Sequence, residues 1–444
     1  MTRGVSGILN SSMVKKFIIN RLEARAKRLL ARHKPKIVGV TGSVGKTSTK
    51  IAIATVLSEK YRVLAHYGSY NTPIALPLAI FNMHLPLKLR NPFSWFKVFH
   101  AMSRQIKKPY PYDVLVLELG ADRPGDIEYF KKYVHPDIAV VTAVAEEHMA
   151  SFGTIEAVAK EELAITGFSG LSLINRDDID TAYSKYVPEG INLDTYGTSG
   201  VAEYRFISTD YKPGTGFTGT FVSPEFKEVA VNLSVVGEHN IRSAVAAGAV
   251  GIKMGLTAEQ VAAGMQKIRP VSGRMNLLKG MRGSTIIDDT YNSSPLSAIA
   301  ALQTLYVFPA RQRIAILGSM NELGDVSKAA HERVGNACDP ALLDWVITVG
   351  AEAQKYLAPS AEKRGCRVMS FMSPYDAGGE VHKLMDSGAV ILAKGSQNRV
   401  FTEEAVKMLL HSTQEEQYLV RQTPDWLAIK SRQFGKFEDI KVKK

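Results

Sequence analysis

One run of nine residues constrains this chain more than any other: Val40-Thr41-Gly42-Ser43-Val44-Gly45-Lys46-Thr47-Ser48. The segment before it, KIVGVT (36–41), reads as a buried strand, and STKIAIATVLSEK (48–60) reads as the helix that follows. Strand, glycine loop and helix in that order make a phosphate cradle. Glycines let the backbone turn tightly, so that successive N–H groups point at phosphate oxygens. The helix N-terminus adds its dipole, Lys46 is placed to reach β and γ phosphates, and Thr47 is placed to hold Mg²⁺. The loop is shorter than the common G-x-x-x-x-G-K-[ST], because Gly42 and Gly45 are only three apart. A chance Gly-Lys-Thr on a surface loop would need neither the strand nor the helix beside it.

The same alternation continues downstream. DVLVLELG (113–120) and DIAVVTAV (137–144) are strand candidates, and TIEAVAKEELAI (154–165) is a helix. Between about 190 and 237, TGFTGTFVSP and KEVAVNLSVVG alternate and carry turn residues, which predicts antiparallel strands. After Pro270, the segments STIIDD, RIAILG, DWVITVG, RVMSF and AVILAKG read as strands with helices between them. RPVSGR breaks the pattern near 270–274. A chain of 444 residues is expected to form two or three domains. The predicted division is a basic amphipathic helix (1–34), a central ATP-binding domain (35–272) and a Rossmann-like C-terminal domain (273–444). The fold class is α/β: a central P-loop ATPase domain with a parallel sheet and a small antiparallel portion, then the second α/β domain.

Charge is concentrated at one end. Up to Lys36 there are ten basic residues and one acid, Glu23, so this segment carries +9 of the formal +12. The high pI therefore belongs to an N-terminal arm and not to the whole surface. Residues 13–33 place Phe17, Ile18, Leu22, Leu29 and Leu30 at roughly helical spacing among Lys and Arg. The arm has three readings. It packs on the next domain with its charges solvated, it docks on an anionic membrane surface, or it binds nucleic acid. No aromatic interleaving or binding motif supports the last, and no nucleic-acid partner is expected. The two cysteines, Cys338 and Cys366, lack metal-ligand spacing, no run of 18 apolar residues appears, and no signal peptide is expected from MTRGVSGILNSS, which lacks the long apolar region and small-residue cleavage site. The expected location is the cytoplasm, peripheral at the inner membrane face if the arm docks there. With 45% hydrophobic and 22% charged residues, the chain is neither disordered nor fibrous.

The loop TGSVGKTST resembles that of the Mur ligase family, which makes amide bonds in cell-wall precursors, and of its folylpolyglutamate synthetase relatives. Further motifs follow in the family's order over roughly residues 36–425. Asn71-Thr72-Pro73-Ile74-Ala75-Leu76-Pro77 is similar to the Asn-rich loop before a helix. Glu118 closes a strand in LELGADRPGDI, similar to the E-x-G-x-x-x-x-G-[ED]-I of the members that add D-alanyl-D-alanine. EEHMASFGT puts the family's metal-binding histidine at His148, and GEHNIRSA (237–244) matches H-N-x-x-N in part. PVSGRM supplies Arg274, and IIDDTYNSSP (286–295) is similar to the nucleotide-contacting D-D-[ST]-Y-N. LGSMNELG (317–324) and KGSQ (394–397) again favour the D-alanyl-D-alanine-adding subgroup.

The resemblance implies a site. Lys46, His148 and Arg274 would be catalytic. ATP would be held by Gly42, Ser43, Val44, Gly45, Lys46, Thr47, Ser48, Asn240, Arg274, Asp289, Tyr291 and Asn292. Asn71, Thr72 and Lys394 would bind substrate, and Thr47, Glu118, His148 and Glu162 would hold Mg²⁺. Plainer roles stand beside these: Asp289 as a turn cap, Glu118 as a strand-end acid, His148 as a structural histidine.

Three departures follow. About 36 residues precede the first strand, too few for the separate N-terminal domain with which the family grips UDP. The family's carbamylated lysine is replaced by Glu162. Lys160 lies two helical steps away, about 200° around the helix, and cannot substitute. Glu162 is expected to supply directly the oxygens of the carbamate, the alternative being a solvated helix face. Finally, Ser243 stands where H-N-x-x-N ends in Asn. The implied reaction begins with phosphorylation of a carboxylate by ATP, followed by attack of an amine on the acyl phosphate. The implied partners are a peptide cell-wall precursor and D-Ala-D-Ala. Rival readings are a related ligase using a lipid-linked or polyglutamate-type carboxylate, and a non-catalytic nucleotide-binding subunit.

Overall fold

The computed structural model describes residues 12–435 apart from 69, 87, 88 and 90. The outermost parts of the arm (1–11) and of the C-terminal region (436–444) lie outside the described residues.

Two sheets organise the chain. The first has nine strands: β1 (Lys36–Thr41), β2 (Val63–Leu64), β3 (Val114–Glu118), β4 (Ile138–Val141), β5 (Leu171–Asn175), β6 (Leu193–Gly197), β7 (Tyr204–Lys212), β8 (Gly216–Ser223) and β9 (Lys227–Leu233). Their spatial order is β2-β3-β1-β4-β5-β6-β7-β8-β9. All neighbours are parallel as far as β7, and only β7–β8 and β8–β9 are antiparallel. The antiparallel expectation for residues 190–237 therefore fails for β6, which runs parallel to β5. Three strands escaped the sequence pattern: β2 has only two residues, β5 (LSLIN) alternates weakly, and a four-residue strand opens the second sheet.

The apolar runs are explained by two-sided burial. In β1, Val38 and Val40 join one core while Ile37 joins the other; in β3, Val114 and Val116 separate in the same way from Leu115 and Leu117. Successive side chains alternate across the sheet, so a strand covered on both faces must be apolar at every position. The helices Lys46–Leu57, Ile241–Lys253 and Ala258–Gln266 supply one cover. The helices Ser12–His33, Ala75–Ile80 and Ile155–Leu163 lie in the other.

The second sheet contains β10 (Asn276–Lys279), β11 (Thr285–Asp289), β12 (Arg313–Gly318), β13 (Trp345–Val349), β14 (Val368–Phe371) and β15 (Val390–Lys394). Their order is β10-β11-β15-β12-β13-β14, parallel except for the β10–β11 pair. One apolar cluster runs through both parts of the chain, including Met149 and Phe152 from the first and Met320 and Leu323 from the second.

The arm is a packed helix over residues Ser12–His33, burying Ile18, Leu22, Ala26 and Leu29. Phe17, expected on that face, is instead exposed. It lies one residue, about 100°, off the buried stripe.

Candidate active site

β1 runs directly into the phosphate loop, and the loop's geometry demands its glycines. Gly42 has φ +127°, and a Cβ there would lie 2.2 Å from Thr142 Oγ1 and 2.8 Å from Ala143 N. Gly45, φ +87°, precedes the helix Lys46–Leu57, whose first turn receives no side-chain cap. Those N–H groups are therefore presented at the loop mouth. The end of β4 grips the loop from outside. Ser43 N donates to Ala143 O (2.8 Å), Ala145 N donates to Ser43 Oγ (3.0 Å), and Thr142 Oγ1 donates to Val44 O (2.6 Å).

Lys46 folds back over the loop. Its ammonium donates to Gly42 O and to Ser43 O (3.3 Å) and pairs with Glu147 at 3.1 Å. Burial alone would lower its pKa, but Glu147, Glu162 and Glu118 raise it, so the ammonium stays charged. One residue further, Thr47 Oγ1 donates to Glu118 Oε2 at 2.9 Å. Parallel register brings this about, because Glu118 pairs with Val40 at the C-terminal end of β3. Glu118 also takes Lys50 Nζ at 3.0 Å and Asn71 Nδ2 at 3.2 Å. Burial raises the Glu118 pKa, but Lys50, Arg274 and Lys46 outweigh it and hold the carboxyl below its ordinary value. Thr47 and Glu118 are thus adjoining hard oxygen donors beside the uncapped helix terminus, a pair that fits Mg²⁺.

The second part of the chain closes over this point. Arg274 Nη2 donates to Thr47 Oγ1 at 2.9 Å, and its guanidinium lies 4.1 Å from the centre of the Tyr291 ring. Tyr291 N donates to Gly273 O (3.0 Å), fixing the crossing between the two parts against the loop that follows β11. Asp289 and Lys394, paired across β11 and β15, form an ion pair at 2.8 Å, and Lys394 also donates to Asn292 O (2.6 Å). Lys394, expected at the substrate, thus anchors the loop that follows β11.

His148 has a left-handed backbone, φ 52°, ahead of the short helix Met149–Phe152. Its Nδ1 lies 2.5 Å from the Glu322 carboxylate, and its Nε2 lies 3.3 Å from Asp122 and 3.8 Å from Glu147. Burial would lower the His148 pKa, but Glu322, Glu147 and Asp122 raise it. Metal ligation needs the neutral imidazole, the form these carboxylates disfavour. Glu322 belongs to the second part of the chain, and its carbonyl also accepts from Ala150 N (3.2 Å). Arg333–Glu146, at 2.5 Å, spans the same seam.

Glu162 is buried, which removes the solvated-face reading, while Lys160 is exposed on the other side of the helix. Glu162 Oε2 accepts from Gly42 N (2.7 Å) and from Thr41 Oγ1. Burial pushes its pKa up to about 7, with Lys46 pulling the other way. Thr47 and Glu118 adjoin, His148 sits among carboxylates, and Glu162 holds the loop backbone. Among the described residues no group of three or more His, Cys, Asp or Glu is arranged to hold a metal.

The remaining expected residues have structural partners as well. Thr72 Oγ1 accepts from Ala75 N (3.4 Å) at the start of the helix Ala75–Ile80. Ser48 is half-buried in the first turn of the loop helix. Asn240 precedes the helix Ile241–Lys253 and donates to Val236 O (2.7 Å). Ser243, the departure from Asn, lies 3.0 Å from Thr49 Oγ1 and ties that helix to the loop helix.

Sequence reasoning missed several residues. Glu147 and Lys50 were legible as neighbours of His148 and Lys46. Arg421 had no local signal: it donates to Tyr291 O (2.9 Å) and Thr290 O (2.6 Å), and pairs with buried Glu403 at 2.7 Å. Lys430, also buried, pairs with Glu403 (2.9 Å) and Glu404 (2.5 Å). This charged cluster supports the loop after β11 from behind.

Comparison with known proteins is consistent with this geometry. Residues 40–89 and 92–251 match the Mur ligase middle domain, and residues 273–397 match the Mur ligase glutamate ligase domain. The UDP-N-acetylmuramoyl-tripeptide–D-alanyl-D-alanine ligase of Bacillus subtilis (strain 168) is 30% identical over 403 residues, covering 89% of this chain and 80% of that protein. The Escherichia coli (strain K12) enzyme of the same name is 30% identical over 326 residues, covering 72% of this chain and 65% of its own length. Among solved structures, MurF ligase from Thermotoga maritima in complex with ADP superposes with TM-score 0.73 at 27% identity, over 88% of this chain and 83% of that chain. MurF from Acinetobacter baumannii shares the fold, with TM-score 0.72 at 22% identity over 87% of this chain and 79% of that one. The chain belongs to the Mur ligase family.

Proposed function

We propose that this chain is an ATP-dependent, ADP-forming peptide ligase. Its substrates would be those that its Bacillus and Escherichia relatives are named for, D-alanyl-D-alanine and a UDP-N-acetylmuramoyl-tripeptide. The observation that carries this reading is the meeting of Lys46, Thr47, Glu118 and Arg274 at one helix terminus, Arg274 arriving from the far part of the chain. A simple nucleotide-binding module has no need of a second cation brought across to the γ-phosphate end.

In this reading a substrate carboxylate oxygen attacks the γ-phosphorus and ADP departs. The amine then attacks the acyl carbonyl, phosphate leaves, and the amine gives up a proton as the amide forms. Lys46 and Arg274 neutralise charge spreading over the transferred phosphoryl group, and the uncapped N–H groups orient it. Thr47 and Glu118 would hold Mg²⁺, which supplies further charge neutralisation between phosphates. Arg421 and Arg274 hold Tyr291 where the nucleotide loop needs it. Glu162 stands beneath the loop, close to Lys46, in the place of the family's carbamate. Division at 272/273 makes the closing element a domain of its own. Both cysteines are free and buried, in keeping with a cytoplasmic location, and no helix among the described residues is long and apolar enough to cross a membrane.

Phosphate release should be screened with D-Ala-D-Ala as donor against tripeptide acceptors with and without the UDP-N-acetylmuramoyl portion. Turnover restricted to the full nucleotide-sugar peptide supports the reading. Turnover on a lipid-linked or polyglutamate-type carboxylate alone would transfer the same chemistry to another acceptor.

A further inference from the structure

The helix Ser12–His33 lies beside the helix Pro92–Lys107, and two contacts set their direction. Arg25 Nε reaches Phe99 O (3.1 Å) and Ser103 Oγ (3.2 Å), and His33 Nε2 lies 3.1 Å from Ile106 O. The contacts advance together along both helices, so the helices run parallel and their N-terminal ends are neighbours. Their inner faces are used up by Ile18, Leu22, Leu29, Trp95 and Met102, all buried.

Their outer faces are not polar. Met13 is 83% exposed, Val14 50%, Phe17 54%, Phe93 78% and Phe96 69%. The cations Lys16, Arg21, Lys97 and Arg104 are exposed on the same two helices. The one acid in either helix, Glu23, is half-buried and accepts a hydrogen bond from Tyr129 Oη at 2.6 Å. Solvent therefore sees three phenylalanines among cations, with no exposed carboxylate on these helices. Scattered exposed apolar side chains need no explanation, but a clustered set ringed by one sign of charge does.

We propose that this two-helix end is a docking surface for an anionic phospholipid bilayer. Phenylalanine rings enter the headgroup–acyl boundary, while lysine and arginine face lipid phosphates. A second copy of the chain is a poorer occupant, because an isologous contact would set cations against cations. Nucleic acid would engage the charges but leave the apolar side chains wet. The surface stands apart from the ligase reading, and its test does too.

The full chain is sedimented with vesicles of equal parts phosphatidylglycerol and phosphatidylcholine, and with phosphatidylcholine alone. Removing the helix Ser12–His33 would strip the core, so the outer face is changed instead, as Phe93→Ser with Phe96→Ser and as Lys16→Glu with Arg21→Glu. The wild type should co-sediment with the anionic vesicles only, less so as salt rises. Each double variant should bind at least about tenfold more weakly. Thermal unfolding and ligase turnover in solution should be unchanged, so a failure here is distinct from a failure of the ligase reading. The proposal is overturned if the wild type stays in the supernatant with both vesicles or if the phenylalanine variant binds undiminished. Lipid-free self-association that the same variants abolish would also overturn it, by assigning the face to a second copy.

Discussion

The phosphate loop and the loop after β11 face the same site but are built in different ways. The first takes its shape from consecutive residues, two left-handed glycines and one helix terminus, with the end of β4 and Glu162 clamping it. The second is assembled from Gly273, Arg274, Tyr291, Lys394, Glu403, Arg421 and Lys430, joined by buried charge pairs and backbone contacts. A local device fails in chemistry when one side chain is lost. A distributed one fails first in stability and nucleotide affinity.

The largest expected effect follows from that contrast. Lys46→Ala should lower kcat by roughly a thousandfold, with a melting temperature close to wild type, as read by steady-state kinetics and calorimetry. Glu403→Gln should do the opposite. Two buried cations, Arg421 and Lys430, would lose their shared carboxylate, and breaking such a pair costs about 3–5 kcal/mol in a denaturant titration. Arg421→Lys keeps the charge but not the fork that spans Tyr291 and Thr290; a KM for ATP up by about tenfold with kcat less affected would show that the loop is positioned from behind. Glu162→Gln sharpens the comparison through the long-range clamp on the phosphate loop. Turnover and its Mg²⁺ dependence should both change, and if both stay intact Glu162 is only packing.

The smallest expected effect concerns acid stability. Burial raises the Asp177 pKa, but hydrogen bonds from Thr198 and Arg242 outweigh it and hold the carboxyl at about 2 against an ordinary 3.8. The folded state therefore binds this proton less readily than the unfolded state. Its stabilisation is complete above the ordinary value and is lost as pH falls towards about 2. Asp177→Asn should flatten the acid limb of a stability–pH curve and leave the neutral plateau lower.

What the sequence disclosed follows the same division. Strands buried on both faces, such as β1 and β3, show as unbroken apolar runs, and the phosphate loop shows as glycine spacing. β2 and β10 were too short to leave a period, and nothing in β6 distinguishes parallel from antiparallel pairing. Phe17 was placed on the wrong face because a helical stripe tolerates little error in phase. His148 and Glu162 were found as positions, but their partners, Glu322 and the Gly42 backbone, come from distant parts of the chain. Arg421 and Glu403 are eighteen residues apart and meet only through burial.

The central claim is that Arg274 reaching Thr47 marks a ligase and not a bare nucleotide site. ADP formation with the acceptor peptide alone, with the amine alone and with both tests it most directly. Sustained ADP release only when both are present, and lost in Arg274→Ala, is the predicted result. Equal release without the amine, or none with any acceptor while ATP still binds, would contradict it.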